Sequence, residues 1–182
     1  MSRRRRLAPL VLATLATQAS IVILAPLLVE IGDSLGASVS AVGQARAILA
    51  LTAVATSLAI GPLLDRLGPR PLIIWGAGFA LAGAACAAAA PGIAAFYLAQ
   101  VIVGLGVACL LSAGFAGVGS WFTPDEAGKA MGYVVGAQSL AWIAGNPVIG
   151  LLTEAVSWRL AYAVPGAAAL AALFTALALA PR

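Results

Sequence analysis

Between Arg70 and Asp125 the chain carries no charged side chain. A helix on the surface of a soluble domain keeps one polar face, so an uncharged stretch of that length has no place in water. About 20 apolar residues at ~1.5 Å rise each cross the ~30 Å hydrocarbon core of a bilayer. The Pro91-Gly92 pair divides the stretch into two segments of that length. The rest of the chain agrees: 9% of residues are charged and 63% hydrophobic, where a soluble domain has roughly a quarter charged. The fold expected is an all-α, polytopic membrane helix bundle, because irregular backbone is excluded from lipid and abundant Gly and Ala let helices approach closely.

Breaks in the apolar pattern predict six spans within a single domain, 1–182: residues 7–29, 39–64, 72–90, 93–118, 130–153 and 160–180. The breaks are GDSLGAS, DRLGPRP, Pro91-Gly92, FTPDEAGK and EAVSWR. Pro26, Pro62, Pro147 and Pro165 fall within or near the ends of these runs, where kinks are expected. Arg3–Arg6 followed by apolar residues resemble a signal peptide, but the charge-free run from Leu7 to Val29 exceeds the roughly 7–15 apolar residues of one. A retained first helix is expected.

With the N-terminus inside, Arg3, Arg4, Arg5, Arg6, Arg66, Arg70, Lys129 and Arg182 lie on the inner side, against Arg46 and Arg159 near the outer one. The positive-inside bias sets that orientation. Both termini are therefore expected in the cytoplasm and the chain in the plasma or inner membrane, with the lipid bilayer as its first partner. The net charge of +4 is explained by topology, and no nucleic-acid partner is expected. Cys86 and Cys109 lie inside apolar runs as small hydrophobes and imply no disulfide framework.

The chain has no histidine, so Ser-His and Cys-His arrangements and HExxH metal sites are absent. Its six acids, Glu30, Asp33, Asp65, Asp125, Glu126 and Glu154, lie near span boundaries. No catalytic residue, metal site or cofactor is expected, and the chain does not read as an enzyme. Polar residues inside spans are costly unless they face a cavity or a partner, which makes Thr17 and Gln18 candidates for a substrate cavity, followed by Gln100, Gln138, Trp142 and Asn146. Interhelical hydrogen bonding or packing explains each of them equally well. Arg46 is expected to snorkel or to pair with Glu30 or Asp33.

Three charges cluster in GPLLDRLGPRP, between the second and third runs. Asp65 follows the C-terminal end of a helix, where the macrodipole already concentrates negative charge, so it calls for a positive partner: Arg66, Arg70 or the N-terminus of another helix. The pattern Gly61-x-x-x-Asp65-Arg66-x-Gly68-x-Arg70 resembles the cytoplasmic loop motif of the major facilitator superfamily. Gln100-x-x-x-Gly104-x-Gly106-x-Ala108 is similar to that family's fourth-helix motif. Gly145-Asn146-Pro147-x-x-Gly150 is similar to the fifth-helix motif often associated with exporters. Pro124-x-Glu126-x-x-Lys129-Ala130-x-Gly132 and Ser157-Trp158-Arg159 look like the family's entries to helices five and six. The matches run in order along the whole chain.

The departures are specific. Pro69 and Pro71 stand where basic residues are frequent, Asn146 and Leu151 stand where glycines are, and Gln100 occupies the arginine position of the fourth helix. A glutamine cannot hold a fixed positive charge, so proton coupling is not implied.

The resemblance implies transport of a small solute by alternating access, of the drug or small-solute efflux branch. It also implies that Gly61, Asp65, Arg66, Gly68 and Arg70 form a gating loop that docks on a second six-helix half. Transporters of this family usually have twelve helices, so the chain looks like an N-terminal half whose partner lies in the same chain, a separate chain or a second copy. The rival expectation is a non-transporting membrane fragment or helix-packing partner. Independently of the family, Gly61-x-x-x-Asp65-x-x-x-x-Arg70 and Gly150-x-x-x-Glu154-x-x-x-x-Arg159 share spacing on opposite membrane faces, the pattern of two inverted three-helix repeats.

Overall fold

A computed structural model describes residues 3–181; Arg182, counted above among the inner basic residues, lies outside them. Eight helices follow one another among the described residues: α1 Arg3–Val22, α2 Leu28–Leu35, α3 Val39–Leu67, α4 Pro69–Ala88, α5 Ile93–Trp121, α6 Pro124–Ala155, α7 Trp158–Ala161 and α8 Ala163–Leu179.

Proline decides two of the boundaries. The first run was expected to be one helix over 7–29, yet α1 stops at Val22 and the chain turns through residues 23–27 before α2 begins. Val22 is four residues before Pro26, whose ring collides with that carbonyl and which has no N–H to offer it. The same arithmetic separates α7 from α8: α7 ends at Ala161, four residues before Pro165. Pro62 and Pro147, by contrast, sit inside continuous α3 and α6.

Other starts and stops follow capping chemistry. Ser38 accepts a hydrogen bond from the Ala41 amide (3.1 Å) at the start of α3, as an N-cap does. Gly68, at φ 74°, is the single residue between α3 and α4, a conformation that costs glycine little. Pro69 opens α4 and Pro124 opens α6, because a first-turn residue needs no N–H. Both helices therefore start earlier than expected, α6 with Asp125 and Glu126 in its first turn, where the macrodipole favours acids.

Among the described residues five helical segments are long and apolar enough to cross a membrane: α3, α4, α5, α6, and α7 with α8 taken together. The protein is a multi-pass, all-α membrane bundle. α1, which opens on four arginines and ends at Val22, is not among the five.

Four helices, α1, α4, α5 and α8, pack pairwise around the centre, while α3 lies against α5 and α6 against α1. Little hydrophobic force drives helices together in lipid, so close backbone approach carries the packing. α5 supplies it. A Cβ on Gly106 would lie 2.6 Å from the Ala80 amide of α4, and one on Gly104 would lie 2.8 Å from the Leu49 carbonyl of α3. At one end of the core Leu10, Leu72, Ile73 and Leu110 are buried together. At the other, Phe96, Trp158 and Tyr162 meet edge to face with centroids 6.2–6.3 Å apart, a favourable aromatic geometry.

Candidate functional site

One end of the bundle gathers most of the basic residues. Arg6, in the second turn of α1, donates to the Trp121 carbonyl at the end of α5, lies 3.4 Å from Glu126 of α6, and stacks over the Phe122 ring. The α5–α6 connection is thereby held to the start of α1. Arg66 and Arg70 line a cavity of about 470 Å³ with Ser120, Trp121 and Pro181, which places the α3–α4 connection at this end too.

Within the loop motif the five residues differ in environment. Gly68 supplies the left-handed turn. Arg70 does not pair with Asp65; its Nε and Nη2 donate to the Ala176 and Leu177 carbonyls of α8 at 3.3 and 3.1 Å. Asp65 and Arg66 are exposed, and among the described residues the one ion pair is Arg6–Glu126. The positive partner that Asp65 calls for is thus not supplied by Arg66 or Arg70. Gly61 is exposed with nothing within 4 Å of where its Cβ would be. Asp65 and Gly61 continue an exposed stripe along α3, Leu51, Val54, Leu58, Gly61, Asp65, at three- and four-residue spacing, which puts all five on one helix face.

The fourth-helix motif, on α5, faces inward. Gly104 and Gly106 make the contacts with α3 and α4 described above. Gln100 is 1% exposed, and its Nε2 lacks a hydrogen-bond partner. It shares with Ser20 and Tyr162 a crevice too narrow for a water molecule. The Tyr162 hydroxyl there is unpartnered as well.

The fifth-helix motif lies on α6. Gly145 lines an apolar cavity of about 320 Å³ between α1, α6 and α8, bounded by Leu15, Leu140 and Val148. Asn146 is half-buried with its Oδ1 unpartnered, Pro147 is exposed and Gly150 half-buried. Of the remaining cavity candidates, Thr17 is fully enclosed and bonds its own helix through the Ala13 carbonyl (3.0 Å). Gln18 and Gln138 are half-buried, and Trp142 is exposed. Arg46 is exposed and forms no ion pair with Glu30 or Asp33. Among the described residues no cluster of three or more metal-ligating side chains occurs.

Three features escaped sequence reasoning: the Arg6 clasp, the Gln100–Tyr162 crevice, and Arg159. Arg159, in the first turn of α7, donates to the Ala88 carbonyl at the end of α4 and stacks over Trp158 with Cζ 4.5 Å from the ring centroid. The shared spacing that pairs Arg70 with Arg159 was the one available signal for the last.

A family model described as the Major Facilitator Superfamily matches residues 10–182. The "Probable L-galactonate transporter" of Escherichia coli (strain K12) is 27% identical over 129 residues, 71% of this chain and 28% of that protein. The "Fujikurins efflux protein" of Gibberella fujikuroi is 39% identical over 85 residues, 46% of this chain and 18% of that protein. The matches thus span less than a third of either relative's length.

Proposed function

As the chain belongs to the Major Facilitator Superfamily, we propose that it is a six-helix transport unit, two inverted triplets that move a small solute together with a second six-helix half. The triplets are α1 with α2, α3 and α4, then α5, α6 and α7 with α8. Helix pairing supports this division. Exchanging the triplets turns the α1–α8 contact into the α5–α4 contact and the α3–α5 contact into the α6–α1 contact, and all four are extensive. The reciprocal arginines support it too: Arg70 donates to α8 and Arg159 to α4.

The observation that carries the two-half reading is the α3 stripe. Leu51, Val54 and Leu58 are 63–80% exposed and lead to the open Gly61 and to Asp65. An apolar ridge ending in a carboxylate suits a second body that offers an apolar groove and a positive helix N-terminus. α6, the equivalent helix of the other triplet, exposes Leu140, Ile143 and Leu151 on the same principle.

In this reading the arginine-rich end is cytoplasmic, both termini lie inside, and the gating loop docks there when the transporter opens outward. Gln18, Gln138 and Trp142 line the solute path, while Gln100 and Thr17 are enclosed in the packed core. The resemblance of Gly145-Asn146-Pro147-x-x-Gly150 to the exporter motif supports efflux as the direction.

The test is Asp65→Asn in the protein assembled with its second half and in the isolated chain. Reconstituted vesicles should lose transport while the midpoint of thermal unfolding of the isolated chain changes little. Equal damage to the isolated chain would mean that the carboxylate is satisfied within the unit, and the docking role would fall. Saturable flux through a strictly monomeric six-helix chain would remove the need for a second half.

A further inference from the structure

We propose that the groove between α4 and α8 is a binding site for a membrane phospholipid with an anionic headgroup, its phosphate on Arg159 and one acyl chain in the trough below. The groove has a volume of about 370 Å³ and runs from Arg159 past Ala85, Ala163 and Gly166 to Leu81 and Leu170. Small residues on the facing sides of both helices leave the trough open, and Leu81 and Leu170 line its far end.

Two observations select the occupant. The first is charge. Arg159 commits one Nη to the Ala88 carbonyl, forms no ion pair among the described residues, and is half-exposed. A guanidinium has five N–H donors, so donors and a full positive charge remain at the mouth of an apolar trough. Phosphate matches both. Trp158, buried in the core, lies against the plane of the guanidinium.

The second observation is length. Ala163 to Leu170 of α8 and Leu81 to Ala88 of α4, the two walls of the groove, each span seven residues, or ~10 Å of helix rise, which is most of one leaflet of the ~30 Å hydrocarbon core. With the Arg159 side chain at its rim, the trough therefore reaches through most of one leaflet. A soluble solute would leave most of that apolar wall unused, a lipid without a phosphate would leave the guanidinium unanswered, and a zwitterionic headgroup would bring its own cation beside the arginine, which a net anionic one does not.

A photoreactive phosphatidylglycerol, with a diazirine midway along one acyl chain, tests the site in vesicles containing the protein. Crosslinks mapped by peptide mass spectrometry should fall on the 81–88 and 163–170 segments, and unlabelled phosphatidylglycerol should compete about fivefold better than phosphatidylcholine. Glycerol 3-phosphate should not compete, since it lacks the chain.

Arg159→Gln should erase the preference between the two lipids, whereas Arg159→Lys should keep it. Because Arg159 also caps α4, a second variant leaves it in place. A Cβ on Gly166 would meet Leu81 at an ordinary 3.8 Å, so Gly166→Phe fills the trough; it should abolish crosslinking there for both lipids with the helical circular dichroism retained. Crosslinks spread equally over α3 and α6, or equal competition by phosphatidylcholine in the unsubstituted protein, would overturn the proposal. Competition by glycerol 3-phosphate would reduce it to a headgroup site without a chain.

Discussion

Arg70 reaches the carbonyls of Ala176 and Leu177, and Arg159 reaches the carbonyl of Ala88, so the C-terminal end of each of α4 and α8 is met by an arginine from the first turn of its neighbour. The last four carbonyls of a helix have no intrahelical partner, and a cation there also meets the negative end of the macrodipole. Arg70→Gln and Arg159→Gln should each lower the stability of the chain by about 1–2 kcal/mol, read as the shift in the unfolding midpoint in detergent. The two sites lie at opposite ends of a 20-residue helix, ~30 Å apart, so the losses should add in the double variant. A loss confined to Arg70 would mean that Arg159 is held by the Trp158 stack and not by its bond to α4. The shared Gly-x-x-x-acid-x-x-x-x-Arg spacing placed both arginines in equivalent positions. It could not say that Arg70 reaches α8 and Arg159 reaches α4, because a hydrogen bond across 71 or 107 positions of chain leaves no local trace. Gln100 was legible as a polar residue within a span, but its choice between cavity and core depended on which neighbours surrounded it.

The helices divide by what their glycines face. On α5, Gly106 stands where a Cβ would meet the α4 backbone, which has no flexible side chain to swing aside. Gly106→Val should therefore force α4 and α5 apart and cost about 1–3 kcal/mol or more. On α6, Gly132 has nothing within 4 Å of its Cβ position, so Gly132→Ala should be neutral or stabilising by up to ~1 kcal/mol through helix propensity alone. Unfolding of the two variants in detergent checks the contrast; similar effects would mean that the α4–α5 approach is looser than the backbone distances require. Both glycines sit in motif-like strings, and the strings do not tell them apart. Chain reversals were more legible than contacts. Gly68 and Pro91-Gly92 announce turns by residue type, whereas Pro26 and Pro165 end helices and Pro62 and Pro147 do not. Proline's cost is local, but whether neighbouring helices repay it is a tertiary matter.

Across the whole molecule, charge asymmetry and packing point the same way. The Arg6 clasp and the cavity shared by Arg66, Arg70 and Trp121 bring the start of α1, the α3–α4 connection and the α5–α6 connection to one end. α2, with Ile31 buried near Phe96 and Trp158, lies at the other. If the positive-inside rule governs this chain, the arginine-rich end faces the cytoplasm. Exposed serines mark both ends: Ser34 on α2 and Ser120 at the end of α5. In a background with Cys86 and Cys109 replaced by alanine, Ser34→Cys should react with a membrane-impermeant maleimide on intact cells. Ser120→Cys should react only after the membrane is opened. The reverse pattern would invert the orientation and with it the placement of the α3–α4 connection, moving Asp65 to the outer side. The proposed lipid groove would survive that inversion with its leaflet exchanged, because its rim charge at Arg159 and its apolar walls on α4 and α8 are the same whichever side of the membrane Arg159 occupies.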